Sequence, residues 1–448
     1  MSKNSETATL SRRAVLAKAG IGGTLALSGC LAGSDGEDGG DGGDGDSSDG
    51  SDGGDGSSDG GDGGSTSNDG GASLSGKTVT YGVVNPMTGP YGALASTQRK
   101  GAKLGIQHVN DSDEFDFEIE GVYDDTEASS STGRQAAQQI LQQEDASYLM
   151  GAISSSVALG LNDLAKSEEV IYNPGGAAIP ITGSKCNEYV FRFETNTAQI
   201  AQATAPWAVE NLGTNVWYHI ADYAYGKSVL KEWQSRMETA SGFSVVGTSR
   251  AQLGASNFGS YISQIANSDA DVAVLGMTGG DLVRFLTQAH RQGLKDSVDL
   301  ACTTADFRVV RAGAGKAAAG VYTGVRYDPA IETGDNQAFV DAYQSKFGSA
   351  PDNFARVAYE SIRMTARGIQ KAGTTDPTKV KDVLAGMKMQ TIFGENRFRT
   401  CDHQAVNPVW VGKNTMPDSG KMPQTELIEQ VEGGEAIPSC DSMGCSLS

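Results

Sequence analysis

Several short loops carry side chains suited to binding a small polar molecule. Each loop follows a predicted strand and precedes a predicted helix, and its residues are hydroxyl-bearing, small or aromatic, with few charges. The candidates are Tyr91, Ser154, Ser155, Ser156, Gly175, Gly176, Ala177, Asp222, Tyr225, Thr278 and Thr304. No three of them make an obvious catalytic group, so this set predicts reversible binding rather than covalent chemistry.

Known catalytic and nucleotide-binding motifs are missing from the sequence. Gly226-Lys227-Ser228 has Ala221 where a P-loop needs its first glycine. The four histidines are scattered, and there is no HExxH or Cys-x-x-Cys motif. We therefore expect no enzymatic activity, no cofactor and no metal site. The alternative is a hydrolase or amidase whose catalytic residues are distant in sequence.

The elements that position these loops alternate between strand and helix. Val79, Tyr81 and Val83 alternate as in a half-buried strand, and the stripe from Leu94 to Val109 predicts a helix. The alternation of predicted strands and helices continues to residue 173 and restarts after residue 197. Repeated βα units predict an α/β protein with parallel sheets flanked by helices. Two such runs predict two similar lobes, with a mainly helical stretch at 335–386 and strand-like pieces near 397–411 and 425–431.

Charge is distributed unevenly along the 448 residues, whose net charge is −20. Residues 1–29 carry +3, residues 31–76 carry −12, and the remaining chain carries −11. No Lys/Arg stripe is present, which disfavours nucleic-acid binding. No apolar run reaches the roughly 18–20 residues of a membrane helix, which excludes a channel or a multi-pass transporter.

The first thirty residues have the layout of an export signal. Arg12-Arg13 precedes a modestly apolar stretch, Ala14 to Leu27, and resembles a twin-arginine signal over residues 1–29. Leu27-Ser28-Gly29-Cys30 resembles a lipobox, which implies that Cys30 is lipidated. The alternative is a chance cysteine after an ordinary cleavage site.

Residues 31–76 contain 18 Gly, 12 Asp or Glu and 10 Ser. Such a segment has too little apolar surface to offset its ordering entropy, so we expect residues 30–76 to be a flexible tether. Calcium binding by the aspartates is the alternative. Acidic linkers of this kind are similar to those of salt-adapted archaea.

A series of motifs runs in order along residues 77–430. They are Asn85–Gly92 (NPMTGPYG), Tyr123–Thr126 (YDDT), Met150–Val157 (MGAISSSV), Tyr172–Ala178 (YNPGGAA), Tyr189–Arg192 (YVFR), Tyr225-Gly226, Cys401–Gln404 (CDHQ) and Pro408–Gly412 (PVWVG). This series resembles the type I periplasmic binding proteins, in particular the leucine/isoleucine/valine-binding branch that serves ABC importers.

The resemblance implies two Rossmann-like lobes joined by a three-crossing hinge, with a ligand cleft between them. We place the crossings near residues 196, 326 and 405. The first lobe would then comprise residues 77–196 and 327–404, and the second residues 197–326 and 405–448. The lobes would close on the ligand like a clamshell.

The resemblance also implies roles for individual residues. Ser155 would hold a ligand carboxylate, backbone groups of the loop 174–177 would complete the pocket, and Tyr91 and Tyr225 would pack on the ligand. Alternatively, Ser155 caps a helix beginning near residue 156, and both tyrosines are ordinary buried aromatics.

Three positions depart from the family pattern. Ala177 stands where a Thr usually accepts the ligand's ammonium group, Thr278 replaces a Tyr, and Thr304 replaces an acid, with Asp306 two residues further on. A buried ammonium group needs an acceptor. Either Asp222 or Asp306 supplies that charge, or the ligand has no amine.

Five cysteines lie outside the lipobox, and an oxidising cell exterior favours their pairing. Cys186 and Cys401 belong to family-like stretches and are candidates for one disulfide. Cys440 and Cys445 lie close enough for a small local loop. Cys302, in an apolar strand, is expected to stay buried and free.

The sequence therefore predicts a lipid-anchored solute-binding protein on the extracytoplasmic face of the cell membrane. It would capture a branched-chain amino acid or a related small carboxylate or amide and deliver it to the permease and ATPase subunits of an ABC importer. The alternatives are the anchored hydrolase or amidase and a ligand-sensing receptor subunit.

Overall fold

Two parallel sheets organise the chain, which we describe from a computed structural model over residues 74–447. The first sheet is built from four parallel strands, β1 (Lys77–Asn85), β2 (Phe117–Asp125), β3 (Tyr148–Gly151) and β4 (Ile171–Pro174). Their order is β2-β1-β3-β4. The helices α1 (Gly92–Asn110), α2 (Ser130–Gln143) and α3 (Ser155–Ser167) alternate with these strands, as the sequence predicted.

The second sheet begins with five parallel strands, β5 (Asn215–Ala221), β6 (Ser244–Ala251), β7 (Val272–Gly276), β8 (Asp299–Cys302) and β9 (Tyr322–Val325). The helices α4 (Thr197–Asn211), α5 (Ala224–Met237), α6 (Gly259–Ala266), α7 (Gly279–Arg291) and α8 (Arg308–Ala314) accompany them. On α7, the apolar side chains of Leu282, Phe285, Leu286 and Ala289 share one face and are buried, as expected for a helix that covers a sheet.

The chain then returns to the first sheet. Helices α9 (Asn336–Phe347), α10 (Asn353–Ala372) and α11 (Pro377–Leu384) are followed by a hairpin of β10 (Lys388–Thr391) and β11 (Gly394–Arg397). Ala358, Ile362 and Ile369 of α10 share a core with Val79 and Tyr81 of β1. Leu74 packs in the same core, so the folded region includes the last residues of the predicted linker.

The last two strands complete the second sheet with antiparallel pairing. They are β12 (Val409–Thr415) and β13 (Gln424–Val431), which give the order β13-β12-β9-β8-β7-β5-β6. The chain therefore passes between the sheets three times, between β4 and α4, between β9 and α9, and between β11 and β12. The two-lobed α/β fold is thus confirmed. The expected signal, the lipid-anchored Cys30 and most of the linker lie outside the described residues.

Two short helices end the chain, α12 (Gly433–Ala436) and α13 (Cys440–Met443). Every helix within residues 74–447 is too short or too polar to cross a bilayer.

The C-terminal segment determines the disulfides. Cys445 pairs with Cys186 and Cys440 with Cys401, so the expected Cys186–Cys401 and Cys440–Cys445 pairings are wrong. The physical reason is that the segment after α12 folds back onto the first lobe, which brings each C-terminal cysteine within about 6 Å (Cα–Cα) of a distant partner. Cys302 is buried and free, as predicted.

The contact between α1 and α10 depends on glycine. A Cβ atom added to Gly101 of α1 would lie 2.1 Å from the carbonyl oxygen of Ala355 in α10. A Cβ atom at Gly160 in α3 would meet nothing within 4 Å. The close approach of α1 and α10 therefore requires a residue without a side chain at position 101. At position 160 of α3 a side chain would fit without contact.

We expect Gly101→Ala to lower the free energy of unfolding by about 1–3 kcal/mol, because α1 and α10 must move apart. The matched Gly160→Ala variant should be neutral or slightly stabilising, since alanine favours the helix. Urea denaturation of both variants measures the difference. Equal stabilities of the two variants would contradict the proposed close approach.

Candidate functional site

A small cavity lies between the two lobes, at the ends of the strands. Its volume is about 10 Å³, room for roughly one water molecule. The first lobe contributes Ile153, Gly175, Ala177 and Phe354, and the second contributes Tyr223, Tyr225, Thr278, Thr304 and Phe307, with Arg326 directly after β9.

The strands explain why these residues meet. Ile153 follows β3, Gly175 follows β4, Thr278 follows β7 and Thr304 follows β8. The carboxyl ends of parallel strands share one edge of a sheet, and ligands of open α/β folds bind outside that edge. Both lobes present this edge to the same cavity.

Five of the predicted binding residues line the cavity, namely Gly175, Ala177, Tyr225, Thr278 and Thr304. The others, Tyr91, Ser154, Ser155, Ser156, Gly176, Asp222 and Asp306, do not line it. Whether any of them contacts a ligand stays a prediction.

The serines of the 154–156 run are buried or half-buried beside the loop they were expected to support. Ser155 Oγ accepts a hydrogen bond from the Ala178 amide (3.2 Å). The residue before the first turn of α3 is Ser154, and its side chain makes no capping hydrogen bond. Ser155 therefore holds the loop that contributes Gly175 and Ala177, and it does not cap α3.

The two acids proposed as ammonium partners lie elsewhere. Asp222 is partly exposed and forms an ion pair with Lys227 (3.1 Å). Asp306 is buried and accepts a hydrogen bond from the Thr323 hydroxyl (2.9 Å). Among the described residues that line the cavity, none is acidic.

Five lining residues were missed by sequence reasoning: Ile153, Tyr223, Phe307, Arg326 and Phe354. Ile153 and Tyr223 neighbour predicted residues in the same loops, and Arg326 occupies a predicted hinge crossing, so position alone could have found them. Phe354 lies in the first turn of α10, far in sequence from the end of any strand, and no sequence signal identified it.

The lobes are in direct contact. Tyr91, Leu94 and Ala95 of the first lobe belong to the same buried cluster as Leu282 and Phe285 of α7. The Ile179 amide donates a hydrogen bond to Ser228 Oγ of α5 (3.1 Å). Because so little space remains between the lobes, a solute of ten or so heavy atoms requires them to separate.

Aromatic rings form one wall of the cavity and extend beyond it. The rings of Tyr91 and Tyr223 are 6.5 Å apart, and those of Tyr223 and Tyr225 are 5.9 Å apart. The hydroxyl groups of Tyr225 and Thr303 are hydrogen-bonded. Burial raises the pKa of Tyr225, so its phenol stays neutral at physiological pH.

A buried ionic cluster lies where the crossings meet. Glu194 forms ion pairs with Arg326 and, at 3.8 Å, with Arg356 of α10. The side-chain amide of Asn353 donates to Oε2 of Glu194 (2.8 Å), the oxygen nearer to Arg356, whereas Arg326 pairs with Oε1. Gln404, at the third crossing, donates to the Glu194 carbonyl oxygen (2.9 Å). These contacts connect all three crossings.

A larger open groove, about 770 Å³, lies near the C-terminal disulfides. Its lining includes Lys381, which is paired with Glu188 and Asp382 (both 2.9 Å). This groove shares no lining residue with the interlobe cavity and contains none of the predicted binding residues, so we take the interlobe cavity as the candidate site. Within residues 74–447, no group of three or more His, Cys, Asp or Glu residues is arranged to hold a metal ion.

The protonation of Asp306 makes stability depend on pH. Burial raises the pKa of the Asp306 carboxyl to about 7, although Arg326, the Thr323 hydroxyl and Arg311 act in the opposite direction. The folded state therefore keeps a proton that the unfolded chain loses near pH 4. The contribution of Asp306 to stability falls as the pH rises from about 4 to about 7.

We expect Asp306→Asn to remove this dependence. Relative to wild type, the variant should gain stability from pH 5 to pH 7, by up to about 1.4 kcal/mol per pH unit. Urea denaturation at pH 5, 6, 7 and 8 measures this difference, and Asp269→Asn, at an exposed site, is the control. Parallel pH profiles of wild type and Asp306→Asn would show that the carboxyl is ionised throughout.

Comparison with known proteins identifies the family. A model of the periplasmic binding protein family matches residues 78–420. The leucine-, isoleucine-, valine-, threonine- and alanine-binding protein of Pseudomonas aeruginosa is 23% identical over 332 residues, 73% of this chain and 87% of the relative. The Leu/Ile/Val-binding protein homolog 4 of Brucella abortus is 24% identical over 362 residues, 76% of this chain and 85% of the relative.

Solved structures share the fold. An amino acid ABC transporter substrate-binding protein from Pseudomonas fluorescens Pf-5 has a TM-score of 0.75 at 22% identity, covering 83% of this chain and 100% of that one. A solute-binding protein of an ABC transporter from Rhodopseudomonas palustris BisB5, in complex with 3,4-dihydroxybenzoic acid, has a TM-score of 0.72 at 22% identity, covering 80% and 98%. With the matched family model and two lobes that meet at their strand ends, the chain belongs to the type I periplasmic binding proteins, in the Leu/Ile/Val-binding branch.

Proposed function

We propose that this chain is an extracytoplasmic, lipid-anchored solute-binding protein of an ABC importer. It captures a branched-chain amino acid or a related small carboxylate or amide between its lobes and presents the closed form to the permease and ATPase subunits. The observation that carries this proposal is the cavity at the facing strand ends, lined by hydroxyl-bearing, aromatic and small residues. The names of the relatives support the solute class, since they include Leu/Ile/Val-binding proteins.

Binding proceeds by opening and closing at the three crossings. We assign residues 77–196 and 327–404 to one lobe and residues 197–326 and 405–436 to the other; the segment after α12, expected in the second lobe, is attached to the first by two disulfides. The open form admits the solute, and contacts such as Tyr91 with α7 re-form around it. Gly175, Ala177, Tyr225, Thr278 and Thr304 form the solute contacts in this proposal.

A thermal-shift screen of amino acids, carboxylates, amides and urea tests the proposal directly. A solute at a hundred times its dissociation constant should add about 2.7 kcal/mol to the free energy of unfolding. Mass spectrometry of the solute after incubation must show it unchanged, because steady product formation would indicate the alternative hydrolase or amidase. Stabilisation by none of these solutes would contradict solute capture.

Thr278 offers a variant that separates binding from folding. Its buried hydroxyl lines the cavity and has no hydrogen-bond partner within the described residues. Thr278→Val keeps the shape of the side chain, so the fold should be unaffected, whereas loss of a hydrogen bond to the solute should raise the dissociation constant by roughly five- to tenfold.

Thr287→Val, within α7, the helix that Thr278 directly precedes, but outside the cavity, is the matched control and should bind as wild type does. Titration calorimetry with a solute from the screen measures both variants. Equal affinity in wild type and Thr278→Val would remove this hydroxyl from the solute site.

The proposed anchor is tested separately at Cys30. Two acyl chains anchor a protein stably because each buried CH₂ contributes about 0.8 kcal/mol. Cys30→Ala should therefore release the protein from the membrane into the medium, as followed by cell fractionation and immunoblotting. Cys302→Ala, at the buried free cysteine, should leave the protein at the membrane. Retention of the Cys30→Ala protein at the membrane would contradict the anchor.

A further inference from the structure

We infer that the solute is a carboxylate without an amino group, and that Arg326 is the residue that determines this specificity. The inference rests on the proposed function, because it concerns the charge that the cavity between the lobes accepts.

Arg326 gives the cavity a positive charge. It is the only charged side chain among the described lining residues, and it is 1% exposed. A buried guanidinium group in a closed cavity interacts strongly with a charged ligand, because little water screens it. The lining therefore favours a negatively charged group over a positive one.

The guanidinium of Arg326 is not fully satisfied by the protein. One terminal nitrogen donates to Glu194, and the other donates to the Thr303 carbonyl oxygen (3.0 Å). Its Nε atom is buried and has no hydrogen-bond partner among the described residues. The ring of Phe307, which also lines the cavity, lies 5.1 Å from the guanidinium carbon.

The acids around Arg326 do not neutralise the local charge. Glu194 is one carboxylate shared by two guanidinium groups, those of Arg326 and Arg356. Glu360, which is also close to Arg356, already pairs with Arg363 (3.2 Å). Among the described residues, Asp306 is the other acid that acts on Arg326, and burial raises its pKa to about 7, so it carries only part of a charge at neutral pH. A solute carboxylate supplies the missing negative charge.

An ammonium group has no comparable partner. Asp222 lies outside the cavity lining and already pairs with Lys227, while Asp306 lies outside the lining and interacts with Arg326. The Thr278 hydroxyl could accept a hydrogen bond, but it carries no charge to balance an ammonium group. An α-amino acid would thus place an uncompensated cation near a buried arginine, which is unfavourable.

Matched solutes test the inference on the wild-type protein. We would titrate two carboxylates, 4-methylpentanoate and phenylacetate, against their amides and against leucine and phenylglycine as the respective amino counterparts. The tightest carboxylate should bind at least about tenfold more tightly than its amide and its amino counterpart. An amino acid or an amide that binds as tightly as the matched carboxylate would overturn the inference and leave solute capture intact. Binding of no solute here or in the wider screen would instead overturn the proposed function.

Variants then locate the specificity. Arg326→Met should remove the preference for carboxylate over amide, whereas a purely structural defect would weaken both solutes equally. Because Arg326→Met leaves Glu194 short of one partner, the double variant Arg326→Met/Glu194→Gln provides a second background. Arg363→Met, which removes a largely buried guanidinium outside the cavity, should keep the wild-type ratio of affinities. An unchanged ratio in a folded Arg326 variant would exclude Arg326 as the determinant.

Discussion

Glu194, whose side chain is buried, contacts all three segments that connect the two lobes. It lies at the first crossing, pairs with Arg326 at the second, and its backbone carbonyl accepts a hydrogen bond from Gln404 at the third. Removing one partner from a buried ion pair costs several kcal/mol, so the pair between Glu194 and Arg326 holds the first and second crossings together. The cluster holds the three crossings close together, and the strand ends of both sheets meet at the same cavity.

The same cluster sets the electrostatic character of the cleft. Arg326 pairs with Glu194 in the ionic cluster and also lines the cavity. The residue that helps to hold the crossings together therefore also gives the cavity a positive charge. The other described residues that line the cavity are uncharged, so Arg326 provides the only side-chain charge among them.

The C-terminal segment adds a connection that the three crossings do not provide. After β13 of the second sheet, Ala436 packs against Ala203 and Val409, and the chain then reaches Cys401 and Cys186 through two disulfides. The Cys186–Cys445 bond spans 259 residues of sequence. The chain between Ala436 and Cys440 thus runs from the second lobe to the first, beside the hinge. A cross-link over so long a loop restricts the unfolded chain strongly, which stabilises the folded state.

The sequence by itself determined the α/β class, the two runs of βα units and the loops that reach the cavity, because hydrophobic periodicity and strand–helix order are local properties. It also identified Thr278, Thr304 and Tyr225, since residues after parallel strands share one edge of the sheet. Only the tertiary structure decided which cysteines pair. It also decided that Phe354 and Arg326 line the cavity and that Asp306 does not. These features depend on contacts between segments tens to hundreds of residues apart. The spacing of residue types along the chain does not determine which distant segments meet or which residue pairs with a buried charge.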